Sequence, residues 1–468
     1  MRIISIICVA IIFLSSCTPS PQDVVKQDEL PPIYPDYCDV TIPQNIAPLN
    51  FLLRADCEAI EVKAGEICLN ARGNEAVFDM DEWKELLKQH TGETLDVTVT
   101  ALVNGQWKEY KTFNWQIAAD KIDPYITYRL IEPDYEIWNN VQIQQRCVEN
   151  FDISAIAHYK KLENRCMNCH TFANQDPNLS MMYVRGPGGG AILNKNGQLS
   201  KLNIPGSVYF GFSPSGRYIT YSTQKIIPAF HSLASKRLEV YDAASNVFVA
   251  DMQEHRVISS PLLSDSLKFE TFPTFSPDGK YIYYCSADSV SLPQDIKQLQ
   301  YKLVRISFNE KTGEIGNKVD TLFAGRSVCH PRVSPDGRFI LFTVADYGTF
   351  PIWHPEADLQ MINLQTGAID TLTIVNSQKS DTYHSWSSNS RWFVFASKRD
   401  DGLYGKPYFC YIDKDGKAHK PFCLPQKYPT FYDNNLKSFN APELGKRQVP
   451  FDVDDVAKAM KKDAIPFK

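Results

Sequence analysis

The sequence predicts a protein built mainly of β-strands. A turn sequence recurs four times in the second half of the chain, and a run of alternating aromatic and aliphatic residues follows each copy. Similar runs, rich in β-branched and aromatic residues, lie in the first half. At 468 residues the chain is long enough for two or three domains. We therefore expect an all-β architecture with separate N-terminal and C-terminal domains.

The first residues have the pattern of a lipoprotein signal peptide. A basic start precedes an apolar run, Ile3 to Leu14, of about twelve residues, whereas a membrane-spanning helix needs roughly twenty. The small residues before Cys17 form a lipobox, so Cys17 is expected to carry lipid after removal of residues 1–16. Residues 17–35 are polar and proline-rich, which predicts a flexible tether. The mature protein is therefore expected to be attached to a membrane by its lipid.

Two further features bear on location and partners. Thr18 and Pro19 follow Cys17, so neither an aspartate for inner-membrane retention nor an acidic export run is present. This favours the cell envelope, at the periplasmic face of the outer membrane. The net charge is only −5 and no block of Lys and Arg forms a phosphate-binding face, so nucleic acid is not an expected partner.

The chain has twelve cysteines, and an oxidising compartment favours their pairing. Cys57 with Cys68, and Cys410 with Cys423, are close enough in sequence to staple hairpins. The connectivity is not fixed by the sequence, so these pairs are hypotheses.

Residues 36–133 are predicted to form a small immunoglobulin-like β-sandwich. Its strand-like runs include Leu49–Arg54, Leu95–Val103 and Tyr110–Ile117, and Asn104-Gly105 marks a tight hairpin. One helix is expected at Met80 to Gln89. Three tryptophans are interpreted as buried core residues, with a sugar-binding platform as the alternative: Trp83, Trp107 and Trp115.

Residues 134–190 are predicted to hold a linker helix and a cofactor segment. In Phe151–Asn164, the apolar residues Ile153, Ile156, Ala157 and Leu162 recur at roughly helical spacing, with an aspartate available as N-cap. We therefore expect a short amphipathic helix that leads directly into the sequence Arg165-Cys-Met-Asn-Cys-His170.

Residues 191–450 contain an internal repeat of about fifty to sixty residues. The turn Ser276-Pro-Asp-Gly279 has close copies at Ser213 and Ser334 and a looser one at Ser387, and a second hairpin follows in every unit. Four-stranded units of this length, none of which can bury both faces alone, predict the blades of a β-propeller. A short helix or tail is expected over residues 451–468.

The repeated Ser-Pro-Asp-Gly-Lys/Arg turn followed by an aromatic strand resembles the TolB-like six-bladed propellers. The resemblance covers roughly residues 206–424. It implies that two further blades come from the flanks, Met181–Asn203 and Phe431–Val449, and that strands from both ends close the ring. It names no ligand, since such propellers serve mainly as binding platforms.

The spacing Cys-x-x-Cys-His lets two thiols bond to the vinyl groups of haem while the imidazole coordinates iron. Three alternatives stay open: a plain disulfide beside a bystander histidine, a zinc site, and a thioredoxin-like dithiol. A zinc site lacks a second Cys/His pair at suitable spacing, and the dithiol lacks a βαβ setting. Covalent haem attachment takes place after export, which agrees with the lipobox.

The segment also resembles the attachment site of c-type cytochromes. That resemblance implies one haem c, with thioether bonds to Cys166 and Cys169 and with His170 as the proximal iron ligand. A distal ligand is expected from Met181 or Met182, only one of which can reach the iron if they lie on a strand. His330 and His384 are rival candidates for the distal ligand, and Arg185 is a candidate partner for a haem propionate.

Taken together, these features resemble lipoproteins of Bacteroidetes-type bacteria that combine a lipobox, a sandwich, CxxCH and a propeller. The first hypothesis is an envelope electron carrier or redox-responsive protein whose propeller docks a redox partner that the sequence does not identify. The second is a scaffold whose propeller binds a protein, peptide or glycan, with CxxCH in a structural role. No Gly-x-Ser-x-Gly sequence occurs, so hydrolase activity is not expected.

Overall fold

The computed structural model describes residues 20–132, 140–204, 206–233 and 236–468. The predicted signal peptide and the lipid site Cys17 lie outside the described residues. The described chain is almost entirely β-structure, which confirms the predicted all-β class. Within these ranges every helix is too short or too polar to span a bilayer.

The N-terminal part consists of a seven-stranded sheet, a three-stranded sheet and one helix. The bounds are β1 Val25–Lys26, β2 Ile33–Tyr34, β3 Val40–Pro43, β4 Phe51–Leu53, β5 Ala59–Ala64, β6 Ile67–Arg72, β7 Glu75–Ala76, α1 Met80–Gln89, β8 Thr94–Val103, β9 Gln106–Glu109 and β10 Phe113–Ala118. Helix α1 has the predicted bounds, and Asp79 caps it by accepting from the backbone N–H groups of Asp81 and Glu82. The immunoglobulin-like assignment stays a prediction.

The predicted tether is wrong over part of its length. Within residues 17–35, β1 pairs with β9 and β2 pairs with β4, so these residues belong to the N-terminal sheets. Tyr34 helps to hold this segment in place, because its hydroxyl donates to Asp400 at 3.0 Å.

The rest of the described chain forms six sheets of four or five strands, which are antiparallel except for one short parallel edge strand at Ile465–Pro466. The bounds are β11 Tyr125–Ile131, β12 Gln142–Cys147, β13 Ile153–His158, β14 Met167–Ala173, β15 Asp176–Val184, β16 Gly190–Lys195, β17 Gln198–Asn203, β18 Ser207–Phe212, β19 Tyr218–Leu233, β20 Lys236–Asp251, β21 Arg256–Ile258, β22 Lys268–Phe275, β23 Tyr281–Asp288, β24 Lys302–Asn309, β25 Glu314–Phe323, β26 Ser327–Val333, β27 Phe339–Ala345, β28 Asp358–Asn363, β29 Ile369–Asp370, β30 Asp381–Trp386, β31 Trp392–Ser397, β32 Lys406–Tyr411, β33 Phe422–Cys423, α2 Phe431–Asn434, β34 Ser438–Gly445, α3 Val453–Met460 and β35 Ile465–Pro466. Short 3₁₀ turns lie at Tyr159–Leu162, Ile296–Gln298 and Pro351–Trp353.

The six sheets form a closed ring. In chain order they are sheet 1 (β14 to β17, with β35 at its edge), sheet 2 (β18 to β21), sheet 3 (β22 to β25), sheet 4 (β26 to β29), sheet 5 (β30 to β33) and sheet 6 (β34 with β11 to β13). The first strand of each sheet contacts the first strand of the next, and β34 contacts β14. This is the arrangement of a β-propeller, with β14, β18, β22, β26, β30 and β34 as the inner strands.

Sheet 6 closes the ring because it contains both ends of the propeller sequence. Strand β34 pairs antiparallel with β11 over most of its length, from Tyr125 opposite Gly445 to Ile131 opposite Ser438. The ring therefore begins near residue 125, well before the predicted boundary at residue 191. Residues assigned to the sandwich and the linker thus supply three of the four strands of one sheet.

The recurring serine explains the repeated turn. The hydroxyls of Ser213, Ser276 and Ser334 each accept from the backbone N–H five residues later, at 3.0 to 3.1 Å, and so fasten the turn to the strand that follows. The turn glycine has φ of +69° in the copy at Gly279, a left-handed conformation that favours glycine. In the looser copy Ser390 adopts φ of +61° at the equivalent position.

The predicted helix over Phe151–Asn164 is wrong. Ile153–His158 is strand β13, and only the following Tyr159–Leu162 forms a 3₁₀ turn. Its pairing with β12 contains a bulge at Ile156, so Ile156 and Ala157 are both buried. Two adjacent buried residues interrupt the alternation of buried and exposed residues in a strand. The spacing of the apolar residues therefore resembled that of a helix.

The N-terminal sheets share an apolar core with sheets 4 and 5 of the ring. Polar contacts fix the same interface: the indole of Trp392 donates to the carbonyl of Asp120 at 2.9 Å, and the hydroxyl of Ser388 donates to Asp123 at 2.7 Å. The two parts therefore pack as neighbours with a common interior.

We expect the closing strand to determine the stability of the ring. Leu444 lies in β34 and is fully buried, whereas Leu436 is 66% exposed. Leu444→Ala should lower the free energy of unfolding by about 2–5 kcal/mol, because it leaves a cavity in the shared core. Leu436→Ala is the matched control and should change it by less than about 0.5 kcal/mol. Equal midpoints in urea unfolding would contradict this role of β34.

Candidate functional site

The cysteine motif lies on the inner strand of sheet 1. Inner strands β14, β18, β22, β26 and β30 each carry a β-bulge at the same place, where two residues lie opposite a single residue of the neighbouring strand. In β14 the two bulge residues are Cys169 and His170. The motif therefore coincides with a bulge that recurs around the ring.

In sheets 2 to 5, the first of the two bulge residues points to a common axis. Tyr209, Phe272, His330 and Tyr383 all adopt left-handed φ of +49° to +53°, a strained conformation for bulky residues. The ring of His330 lies 4.2 Å from that of Phe272 and 4.4 Å from that of Tyr383, measured between centroids. The axis is therefore closed by packed rings at this level.

His170 is buried beside this axis, with only 8% of its surface exposed. Neither of its ring nitrogens meets normal hydrogen-bond geometry, although the nearby backbone of Thr127 acts to raise its pKa. Burial, reinforced by the positive charge of Arg129, lowers the pKa of His170 to about 3. At neutral pH the imidazole is therefore neutral and has a lone pair free to bind a metal.

Charged residues from three other inner or adjacent strands surround His170. Glu443 of β34 approaches the imidazole to 3.9 Å and accepts from the backbone N–H of Phe172 at 2.9 Å. Burial raises the pKa of Glu443 to about 7, and Arg332 of β26 opposes that shift. With Arg129 of β11, these residues form an axis cluster: His170, His330, His384, Arg129, Arg332 and Glu443.

The two candidate methionines lie on β15, next to the motif strand. Met181 pairs with Thr171, and the side chains of Met181 and Met182 belong to different apolar clusters on opposite faces of sheet 1, as expected for neighbours on a strand. Met182 shares its cluster with Cys166. His170 and both methionines line one cavity of about 10 Å³ between sheets 1 and 6.

The remaining predicted site residues fall at different distances from the motif. Arg185 lies beside it, because its backbone N–H donates to the carbonyl of Cys166 at 2.9 Å. His330 and His384 lie in sheets 4 and 5, and the Nε2–H of His384 donates to the carbonyl of Leu341 at 2.9 Å. The side chain of Cys169 lies outside the part of the molecule that the structure describes.

The axis cluster contains residues that sequence reasoning missed. Arg129, Arg332 and Glu443 carry no motif and are far apart in the chain. One signal was available: each lies in or beside an aromatic or apolar strand where a charged residue is unusual.

Two expectations about cysteine and tryptophan are also resolved. The described cysteines are free, so the pairs Cys57–Cys68 and Cys410–Cys423 are wrong as disulfides. Cys68 is exposed and lies opposite Lys63 in the β5–β6 hairpin, whereas Cys57 is half-buried and precedes β5. The three tryptophans are buried and are core residues, as interpreted.

The side chains of this site are suitable ligands for a haem, but the space between them is too small to hold one. Two thiols, a neutral imidazole without hydrogen bonds, and a thioether are the groups that c-type haem uses. The cavity of about 10 Å³ has room for one water at most, whereas ligand pockets span roughly 300 Å³ or more. A bound haem therefore requires that Cys166–His170 lie elsewhere than in the closed inner strand. Among the described residues no group of three or more His, Cys, Asp or Glu side chains is placed to hold a metal ion.

Comparisons with known proteins give a likeness of fold. No protein-family model matches the sequence, and no curated protein matches it. Among solved structures, TolB from Acinetobacter baumannii is similar with 14% identity, over 75% of this chain and 79% of TolB, at a TM-score of 0.43. An apocarotenoid oxygenase from Synechocystis is similar with 11% identity, over 84% of this chain and 93% of the oxygenase, at a TM-score of 0.41.

Glu443 offers a test of the axis cluster. Glu443→Gln keeps an acceptor for the Phe172 N–H and removes a carboxylate whose ionised form is disfavoured by burial, so the free energy of unfolding at pH 8 should stay within about 1 kcal/mol. Glu443→Ala leaves that N–H unpaired and should cost about 1–3 kcal/mol. Chemical denaturation compares them, and equal losses in both variants would contradict this account.

Proposed function

We propose that this protein is an envelope lipoprotein that holds one covalent haem c and transfers electrons. Cys166 and Cys169 would form the thioethers, and His170 would bind the iron. The haem supplies a reversible one-electron centre when it is bound. The redox partner is a protein of the envelope that docks on the ring.

The state of His170 carries this proposal. A buried polar group without a hydrogen bond costs free energy, and an imidazole with two such nitrogens is costly unless a ligand completes it. Iron would take one of these nitrogens. The low pKa keeps the imidazole neutral, so no proton has to leave before it binds metal.

Neighbouring residues support the same assignment. Met182 shares an apolar cluster with Cys166, which makes its thioether the better candidate of the two for the distal position. Arg185 lies beside Cys166 and can pair with a propionate. An apolar shell of this kind limits water access, which raises the reduction potential of a haem.

A second candidate function is favoured by the small cavity. The motif strand is paired with β15 on both sides of its bulge, and the cavity beside His170 holds no more than a water. In this alternative the protein is a scaffold whose ring binds a protein, peptide or glycan, and the motif is structural.

The proposal includes a lipid anchor at Cys17 and a position at the periplasmic face of the outer membrane. It rests on the signal-peptide pattern and on the absence of an aspartate or acidic run after Cys17. Export would bring the chain to the compartment where haem attachment takes place.

Covalent haem is tested directly. Protein produced with cytochrome c maturation machinery should keep one haem per chain after denaturation, measured by pyridine haemochrome. Cys166→Ser and Cys169→Ser should each lose a thioether and shift the α-band, and the double variant should lose covalent haem. Cys68→Ser, at an exposed thiol, is the matched control. Absence of haem in the unaltered protein would leave the scaffold function as the one supported.

The distal ligand is tested by paired substitutions. Met182→Leu should abolish the near-infrared methionine-to-iron band and lower the reduction potential, because a thioether ligand stabilises the reduced iron. Met181→Leu is nearly isosteric on the opposite face of the same strand and should leave both unchanged. The reverse pattern would assign Met181, and no change in either would exclude both.

A further inference from the structure

A carboxyl group is buried where sheet 2 meets sheets 3 and 4, away from the cysteine motif. Asp242 of β20 has no exposed surface. Its Oδ2 accepts from the Nε2 amide of Gln224 at 3.1 Å, and the hydroxyl of Tyr301 lies 3.5 Å from the same oxygen. Its Oδ1 has no hydrogen-bond partner among the described residues. One oxygen of this carboxyl is therefore held in place, and the other has lone pairs free for a ligand.

A β-bulge brings Asp242 and Ser245 to one face of β20. Ala243 has no residue opposite it, because its neighbours Asp242 and Ala244 pair with consecutive residues of β19. Residues three apart in a regular strand point to opposite faces, and one extra residue between them restores a common face. Ser245 is 2% exposed and lies directly opposite Gln224. The bulge therefore places a second buried oxygen on the face that carries the carboxyl.

The hydroxyl of Thr349 adds a third oxygen, from the segment after β27. Thr349 is 1% exposed, and its hydroxyl acts to lower the pKa of Asp242, so it lies beside the carboxyl. Ser245 acts in the same way on Tyr301. Within the described part of the chain, neither hydroxyl meets normal hydrogen-bond geometry. Three buried oxygens with unused lone pairs therefore lie in one small region: Asp242 Oδ1, Ser245 Oγ and Thr349 Oγ1.

Hydrogen bonds from three sheets fix the frame around these oxygens. The Nε2 amide of Gln224 also donates to the hydroxyl of Thr271 in β22, at 2.9 Å. Gly348, which precedes Thr349, donates through its N–H to the carbonyl of Leu299 at 2.8 Å. Its own carbonyl accepts from the hydroxyl of Ser327 in β26 at 2.6 Å. The oxygens are therefore held in position before any ligand binds, which lowers the entropic cost of binding.

The charge balance of this region indicates what kind of ligand it takes. Burial raises the pKa of Asp242 to about 7, and the groups that oppose this shift are the neutral side chains of Tyr301, Gln224 and Thr349. A buried carboxylate is costly unless an opposite charge accompanies it. Carboxylate and neutral oxygens are the ligands of hard cations. Since one carboxylate is present, a single positive charge balances the site.

We propose that Asp242, Ser245 and Thr349 bind one monovalent metal cation, sodium or potassium, between sheets 2, 3 and 4. The ion takes the free Oδ1 and the two hydroxyl oxygens, while Oδ2 stays bonded to Gln224. It neutralises the buried carboxylate and joins β20 to the segment after β27. The site requires neither haem nor the cysteine motif, so it goes beyond the proposed function.

Thermal unfolding in different chloride salts of equal ionic strength tests the site, at about pH 8, where Asp242 is ionised. Sodium or potassium should raise the midpoint by about 1–2 °C over choline, because an ion that binds only the folded state stabilises it. Asp242→Asn keeps the shape of the side chain and removes its charge, so it should abolish the difference between salts whatever its effect on absolute stability. Asp288→Asn, at a side chain that is 76% exposed, is the matched control and should keep that difference.

Thr349→Val removes one ligand and should weaken the apparent affinity for the ion about tenfold, so it serves if Asp242→Asn does not fold. Equal midpoints in sodium, potassium and choline would show that Asp242 holds only a proton or a water. A difference between salts that persists in Asp242→Asn would assign the ion to another site, and a response to calcium alone would show a divalent site. Each of these three results overturns the proposal. The readout needs no haem, so failure of the haem assignment and failure of the cation site are distinguishable.

Discussion

The pairing of β34 with β11 is the constraint on which the centre of the molecule depends. It joins segments from opposite ends of the ring sequence, and the entropy of closing so long a loop grows only slowly with length. The pairing brings Arg129 and Glu443 into contact range of the same imidazole, His170. Any change that opens sheet 6 therefore removes the electrostatic surroundings of the motif along with the closure of the ring.

The axis cluster shows how burial determines protonation at the centre. Burial lowers the pKa of His170, His330 and His384, and it raises the pKa of Glu443. Burial therefore disfavours the charged form of each of these four groups.

Much of the fold was predictable because the residues of each repeat determine its turn locally. The serine hydroxyl, the proline and the glycine of Ser276–Gly279 determine a turn that needs no distant residue. In sheet 6, β34 lies in the flank Phe431–Val449 that the resemblance assigned to a blade. Strands β11 to β13 were not predictable, because they have no such turn and find their partner strand only at the other end of the ring. Strand β13 imitated a helix because a bulge at Ile156 places two buried residues in succession. The Cys-x-x-Cys-His motif was recognisable in the sequence. The proximity of Glu443 to His170 was not, because it depends on the pairing of β34 with β11 that closes the ring.

The two ends of the ring differ in a way that separates the two candidate functions. The far end of β14 opens on a groove of about 750 Å³, lined by polar residues that include Asn174, Lys195 and Lys446. Strand β14 has seven residues, so the groove begins roughly 20 Å from Cys166. A scaffold could bind its ligand in that groove without any involvement of the motif. An electron carrier needs its partner close to the haem, at the opposite end of β14, where Cys166 lies.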